Sequence, residues 1–281
     1  MTMFKIENNK IIFEKDNKIL AYVTYPLIDT NIVDINHTVV DKTLQGQGIA
    51  SNLLEYAYKD IKSKNLFAVT SCSYARNWFL KHKEYSDILY SEIRKYNNLD
   101  YNDVFLITLS KWKDEVKMSK ELEDFIYHFL VKYYLYDNEY CFVGTKNNKV
   151  SAFLLANKKT ETNDSIDYFN NNIDTLNEFD KEKAYQYLDY IEYNHKMVLK
   201  YMNDNSIYLG LIASTIHNMG YDLINHLKDT LKSNNINEIY LWTDETCNYQ
   251  YYEKLGCIKL HEYNVKLYDR NLKTFIYKIK F

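Results

Sequence analysis

The chain predicts an α/β protein organised as two domains. Three observations carry that reading: a β-branched run feeding a glycine turn and an amphipathic helix, a second helix downstream that repeats the apolar spacing of the first, and a length of 281 residues. At roughly 100 to 200 residues per domain, such a chain holds two cores of ordinary size.

The elements follow from the alternation of periods. Ile11–Glu14 and Leu20–Thr24 flank Lys15-Asp16-Asn17-Lys18, which predicts a hairpin turning at Asp16-Asn17. Thr38-Val39-Val40 suits a strand that leads into Gln45-Gly46-Gln47-Gly48-Ile49-Ala50. Ile49, Ala50, Leu53, Leu54, Ala57 and Ile61 then recur at helical spacing and form one apolar face. Phe67–Ser71 predicts the next strand and Tyr74–His82 another helix. The polar, turn-rich stretch 96–103 marks a domain boundary, so the domains are expected at 1–95 and 96–281.

In the second domain, a strand is expected near Val104–Thr108, helices around Glu121–Tyr134, and a hairpin turning at Lys146-Asn147-Asn148-Lys149. An acidic insertion spans about 160–205, with a helix whose inward face is Ala184, Tyr187, Leu188, Ile191, Val198, Leu199 and Met202. Two readings of its acidic residues stand side by side: a collector for a cationic amine, or a solvated face that keeps the protein soluble. Tyr208–Ala213 is strand-like, Leu223, Ile224, Leu227 and Leu231 repeat the spacing of Leu53, Leu54, Ala57 and Ile61, and Ile239–Trp242 predicts a further strand.

A glycine turn that opens into a helix presents free backbone N–H groups to an anion. The turn at 45–50 carries neither G-x-x-x-x-G-K-[ST] nor G-x-G-x-x-G, which removes motif support for nucleotide triphosphatases and dinucleotide-binding proteins. It matches Q/R-x-x-G-x-G/A at all three defining positions. With His37-Thr38-Val39-Val40 before it and Cys72-Ser73-Tyr74 after it, the segment up to about residue 90 resembles the small single-domain branch of the GCN5-related N-acetyltransferase (GNAT) superfamily. It departs from that branch at Lys83, where the branch usually has proline. Tyr251-Tyr252-Glu253-Lys254-Leu255-Gly256 resembles the superfamily's F-Y-E-K-L-G ending, so the resemblance extends to a tandem of two GNAT-like domains. The second loop is degraded: Thr215 and Asn218 stand for the usual Gln/Arg and middle Gly, and Gly220 alone fits.

The resemblance implies, for each domain, a mixed and mostly antiparallel sheet flanked by helices. It implies acetyl-CoA as cosubstrate and transfer of acetyl to an amine. The pyrophosphate falls to Gln45, Gly46, Gln47, Gly48, Ile49 and Ala50. Backbone groups of Val39 and Val40 contact the pantetheine arm and acetyl oxygen, and Asn218 and Gly220 form the second, weaker cradle. Cys72 is the candidate for an acetyl-cysteine intermediate and His37 for the general base. A buried small hydrophobe and a histidine satisfying a backbone group are the ordinary alternatives for those two side chains. In the first domain the superfamily's usual tyrosine acid falls at Leu80, so that acid is missing and Cys72 is the replacement candidate. In the second, Tyr252 holds that place, or it is a core aromatic. Two other functions remain open: a non-catalytic acyl-CoA binder or sensor, and catalysis by the second domain alone.

Bulk composition bounds the partners. A net charge of −3 argues against general nucleic-acid binding. No apolar run approaches the length of a membrane span, and the N-terminus lacks a signal-like plan, so a cytoplasmic protein without membrane partners is expected. Cys72, Cys141, Cys247 and Cys257 form no C-x-x-C pair, and neither a metal site nor a disulfide framework is expected. The acceptor is a small-molecule or peptide amine whose identity spacing does not reveal. Oligomeric state is likewise undetermined.

Overall fold

The computed structural model describes residues 2–112, 118–137 and 139–281, without the side chains of Thr2 and Met3. These residues divide into two compact units: Met1–Glu92 with Thr145–Lys149, and Ile93–Gly144 with Val150–Phe281.

The first unit opens as a meander of β1 (Thr2–Glu7), β2 (Lys10–Lys15) and β3 (Lys18–Thr24). The β2–β3 hairpin turns at Asp16 and Asn17, whose φ values of 51° and 62° are the paired left-handed conformations of a two-residue turn. Two short strands follow, β4 (Leu27–Asp29) and β5 (Ile32–Asp34), then β6 (His37–Val40). After the glycine loop come α1 (Ile49–Ser63), β7 (Phe67–Val69) and α2 (Ser73–Lys81). The strands form two sheets, in the orders β1-β2-β3-β6 and β4-β5-β7. The strand before the loop and the strand after α1 therefore lie in different sheets, and among the described residues the far edge of β6 has no strand beside it.

The core lies between the first sheet and α1. Ile11, Phe13, Ala21 and Val23 face Leu53, Leu54, Ala57 and Ile61, the side of α1 that helical periodicity selected. One polar group is built into this core. Asp60 is 8 % exposed; its Oδ2 accepts from the Tyr25 hydroxyl at 2.8 Å and from Lys64 Nζ at 2.6 Å. Burial, with the carboxylate beside it, pushes the Tyr25 phenol far above its ordinary value. Asp60→Ala strands that hydroxyl in the core, and the expected loss is about 1–3 kcal/mol of stability. Asp60→Asn, which keeps an acceptor, loses less; thermal unfolding of both variants checks the difference.

The second unit is built on a sheet that begins with β8 (Ser91–Lys95), followed by α3 (Tyr101–Trp112) and α4 (Lys120–Tyr134). Next come β9 (Phe142–Lys146), β10 (Lys149–Lys158), α5 (Ser165–Asn172), α6 (Glu178–Leu199) and β11 (Ser206–Ser214). The chain ends with α7 (Met219–Ser233), β12 (Glu238–Asp244), α8 (Gln250–Lys254), β13 (Ile258–Leu267) and β14 (Arg270–Lys280). The sheet order is β13-β14-β12-β11-β10-β9-β8. Every pair with a recorded register is antiparallel except β11–β12, which is parallel. That parallel ladder covers only Ser206–Tyr208 against Glu238–Tyr240, although β11 continues to Ser214 and β12 to Asp244.

Both faces of this sheet are covered. α3, α4, α5 and α6 pack on one side and α7 on the other. The α/β class, with mixed and mostly antiparallel sheets flanked by helices, is thus the class expected from the sequence. The strand expected at Val104–Thr108 is instead the middle of α3. Val104, Ile107 and Thr108 are buried at helical spacing, and the Thr108 hydroxyl donates back to the Val104 carbonyl at 2.8 Å. A short run rich in β-branched and aromatic residues fits either period. Here the Asn97–Asp100 capping box just upstream started a helix. The helix expected over 184–202 is α6, which ends at Leu199; Ala184, Tyr187, Ile191 and Val198 are buried on it, Met202 is buried just beyond it, and Leu188 and Leu199 pack at the rim of the core.

Candidate functional site

The glycine loop is shaped by backbone conformation. Gly46 and Gly48 have φ values of 78° and 75°, and a Cβ at either would meet nothing within 4 Å. Their lack of a side chain is therefore a matter of handedness rather than space. Upstream, Asp41 caps the turn at Lys42–Leu44 by accepting from the Thr43 hydroxyl at 2.6 Å and the Thr43 N–H at 2.9 Å. Those bonds hold its carboxyl below the ordinary range.

Gly48 is the N-cap of α1 and offers no capping side chain, and the first turn of the helix contains no acidic residue. Among the described residues, the N–H groups of Gly46, Gly48, Ile49 and Ala50 find no backbone acceptor. The N–H groups of Gln45 and Gln47 make long bonds of 3.4 Å to Lys42 O and Leu44 O. Four unpaired donors at a positive helix end form a site for an anion.

β6 supplies the other wall. The Asp41 N–H donates to Leu20 O at 2.8 Å, and the register runs Ala21↔Val40, Tyr22↔Val39, Val23↔Thr38, Thr24↔His37. Antiparallel bonding alternates along a strand, so Val39 and His37 turn their backbone groups to β3. Thr38 and Val40 turn theirs to the open edge. Their side chains share one face as well. The open edge expected at Val39 and Val40 is thus offered by Thr38 and Val40, while Val39 is paired with β3. His37 is exposed and lies on the face of β6 opposite Thr38 and Val40.

Between strand edge and helix start lies a cavity of about 420 Å³, a size typical of ligand clefts. Its walls are Thr38 and Val40 from β6, Leu44, Gln45, Gly46 and Gly48 from the loop, Ile49 and Ala50 from α1, and Tyr74 from α2. Cys72 caps α2 and its thiol donates to the Thr38 hydroxyl at 3.6 Å. Thr70, just before it, is held on three sides within the first unit. Its N–H reaches Asn147 Oδ1 at 2.6 Å, its hydroxyl accepts from Asn147 Nδ2 at 2.6 Å, and its carbonyl accepts from Arg76 Nη2 at 3.2 Å.

The expected site residues therefore separate into groups. Gln45, Gly46, Gly48, Ile49, Ala50 and Val40 line the cavity, Cys72 touches its wall, and Val39, Gln47 and His37 lie outside the lining. Thr38, Leu44 and Tyr74 are lining residues that motif reading passed over. A two-residue step back from Val40 points to Thr38, and Tyr74 sits in the Cys-Ser-Tyr motif itself.

In the second unit, Asn218 caps α7 at φ 67°, ψ −18°, close to the 75°, 3° of Gly48. Asparagine enters the left-handed region more readily than most residues, so the turn keeps its handedness without glycine. Gly220, one residue into α7, has only Ser214 Cβ near an added methyl, at 3.9 Å. Tyr252 lies on α8 with its ring 5.5 Å from Tyr251 and 5.8 Å from Tyr277, and burial raises its phenol well above the ordinary value.

Among the described residues, an unpaired strand edge thus lies beside a glycine-capped helix start. Residues 10–88 match the family model described as GCN5-related N-acetyl-transferase. A GCN5-like protein from Staphylococcus aureus, solved by NMR, is 33% identical over 31% of this chain and 85% of its own length, with a TM-score of 0.28. The ribosomal-protein-S18-alanine N-acetyltransferase of Escherichia coli is 15% identical over 68% of this chain and 94% of its own, with a TM-score of 0.40. The polyamine N-acetyltransferase of Drosophila melanogaster is 9% identical over 68% of this chain and 100% of its own, with a TM-score of 0.42. Through its first unit, the chain belongs to the GCN5-related N-acetyltransferase family, whose chemistry is acyl transfer. No helix among the described residues is long and apolar enough to cross a membrane. No group of three or more His, Cys, Asp or Glu among them is placed to hold a metal ion.

Proposed function

We propose that the first unit binds acetyl-CoA in this cavity and that the protein transfers the acetyl group to an amine, on a small molecule or a peptide. The carrying observation is the set of unpaired N–H groups of Gly46, Gly48, Ile49 and Ala50 at the mouth of the cavity. A pyrophosphate supplies the acceptors they lack. The open-edge groups of Thr38 and Val40 lie along the same cavity, where they would bond the pantetheine amides and polarise the thioester carbonyl.

In the reaction, the amine nitrogen attacks the carbonyl carbon, the carbon–sulfur bond breaks, and the nitrogen gives up a proton. The contact of Cys72 with the wall residue Thr38 supports a role for its thiol near the acetyl group. An acetyl-cysteine step at Cys72 predicts an acetyl adduct on that residue when acetyl-CoA is supplied without amine, read by mass spectrometry. A packing role predicts none. His37 serves as base only if its side chain reaches round from the opposite face of β6.

One specific observation keeps a second site in view. Asn218 reproduces the cap conformation of Gly48, and β11 parts from β12 after Tyr208 as β6 is parted from β7. Under that reading the chain is a tandem of GNAT-like domains, the second unit binds acetyl-CoA more weakly, and Tyr252 is its acid. Calorimetric titration of acetyl-CoA into the full chain tests both. One site assigns the cofactor to one unit, two sites support the second cradle, and no binding overturns the acetyltransferase proposal. Binding without transfer to any amine would instead favour a sensor.

A further inference from the structure

Three successive residues lead the chain from β7 to the cavity wall, and each is held from a different part of the first unit. Thr70 is 3% exposed. Its N–H donates to Asn147 Oδ1 and its hydroxyl accepts from Asn147 Nδ2, both at 2.6 Å, while its carbonyl accepts from Arg76 on α2. Ser71 donates its N–H and its hydroxyl to the Asp34 carboxylate, at 2.9 and 2.7 Å. The Cys72 N–H donates to Ile35 O at 3.1 Å. Further along, α2 is anchored to α1 through Trp78 Nε1, which donates to Ser51 Oγ at 2.7 Å. Asp34 and Ile35 lie at the end of β5, whereas Asn147 comes from Thr145–Lys149, a segment of the first unit far from the rest of it in sequence.

Asparagine suits position 147 on two counts. Asn147 and Asn148 have φ values of 53° and 60°, the paired left-handed conformations of a two-residue turn, which asparagine enters more readily than most residues. An amide also offers both an acceptor and a donor, and Thr70 uses both. The Asn147 N–H donates to Tyr90 O at 2.7 Å, which steadies the backbone that carries the amide. We infer that Asn147 is a positioning residue for the site of the first unit: its amide fixes Thr70, and through Thr70 the Cys72 thiol beside Thr38 and the start of α2 at the cavity wall. The assignment rests on the acetyl-CoA reading above. It makes the turn at 145–149 part of the support of that site, although none of those residues is among the lining residues. Two effects then separate: the N–H groups of the glycine loop set how tightly coenzyme is held, and Asn147 sets how the wall groups are placed.

The full chain as wild type, Asn147→Gly, Asn147→Asp, Asn148→Gly and Thr70→Val tests the assignment. Each is titrated with acetyl-CoA by calorimetry, assayed against a panel of primary amines and peptide N-termini, and alkylated with iodoacetamide, with modification of Cys72 followed by mass spectrometry. Glycine keeps the left-handed turn and removes the amide. Asn147→Gly is expected to leave the Kd for acetyl-CoA nearly unchanged, to speed alkylation of Cys72 as the thiol loosens from Thr38, and to lower kcat by roughly 10-fold through misplacement of the wall groups. Asn147→Asp, whose carboxylate accepts from both the N–H and the hydroxyl of Thr70, is expected to recover most of kcat. Thr70→Val removes the hydroxyl but keeps the N–H bond; it carries the same expectation, with a smaller loss, should the glycine variant not fold. Asn148→Gly, a change at the neighbouring turn residue, is expected to behave as wild type. Unchanged kcat and alkylation in Asn147→Gly and Thr70→Val overturn this inference and leave the acetyltransferase reading standing. An equal loss in Asn148→Gly overturns it too, since the turn and not the amide would then matter. A wild-type chain that binds no acetyl-CoA, or acetylates no amine, overturns both.

Discussion

Gly48→Arg is expected to abolish acetyl-CoA binding at the first unit while leaving the protein folded. The substitution acts in two ways. An L-residue at φ 75° costs roughly 1–2 kcal/mol of stability. Its Cβ meets no atom within 4 Å, so that cost stays local. The long side chain then occupies the helix mouth where Gly46, Gly48, Ile49 and Ala50 present their N–H groups. Hydrogen bonds to a charged acceptor contribute about 1.5–3 kcal/mol each, so losing two weakens binding by roughly 10²- to 10⁴-fold. Gly48→Asn is the control, because Asn218 holds the same conformation at the start of α7. It should bind acetyl-CoA far better than the arginine variant. Calorimetry that finds Gly48→Arg binding as tightly as wild type would remove the loop from the cofactor site.

The largest effect on stability is expected from Gly210→Ala. Gly210 lies on β11, and a Cβ there would stand 2.2 Å from Tyr134 Cδ1 and 2.7 Å from its Cγ. Tyr134 cannot yield easily: it is 1% exposed, and its hydroxyl accepts from Tyr208 and from Trp242 Nε1, each at 3.3 Å. Overpacking of this kind costs typically 1–3 kcal/mol, and a rigid aromatic neighbour puts the expectation at about 3 kcal/mol. The same exchange at Gly220 serves as contrast, since an added methyl there has open space and helical backbone to suit it. Gly220→Ala is expected to be neutral or to stabilise by up to about 1 kcal/mol. Denaturant unfolding of the two variants should separate them in sign; equal midpoints would mean that the Tyr134 ring moves aside freely.

Features that depend on near neighbours in the chain were legible without coordinates. The turn at Asp16–Asn17, the glycine loop and the buried face of α1 all follow from residues within a few positions of one another. So did the left-handed turn at Asn218, because asparagine tolerates that conformation alone. Val104–Thr108 misled because five residues of mixed β-branched and aromatic character fit a period of two or of 3.6 equally well. The capping box that decided between them lies outside the run. Thr38 was passed over because a strand's composition does not say which of its edges is paired.

The order of the loop motif, the apolar faces of α1 and α7 and the family of the first unit were set by local residue types, since handedness, periodicity and cap chemistry act over one or two turns. The tertiary structure alone decided the geometry of the candidate site. The pairing of β6 with β3 leaves Thr38 and Val40 on an open edge. The docking of α2 on α1 through Trp78 and Ser51 carries Tyr74 to the cavity wall, and the early end of the β11–β12 ladder parts those strands. Each joins segments far apart in sequence, and which backbone groups remain unpaired is settled only when those segments meet.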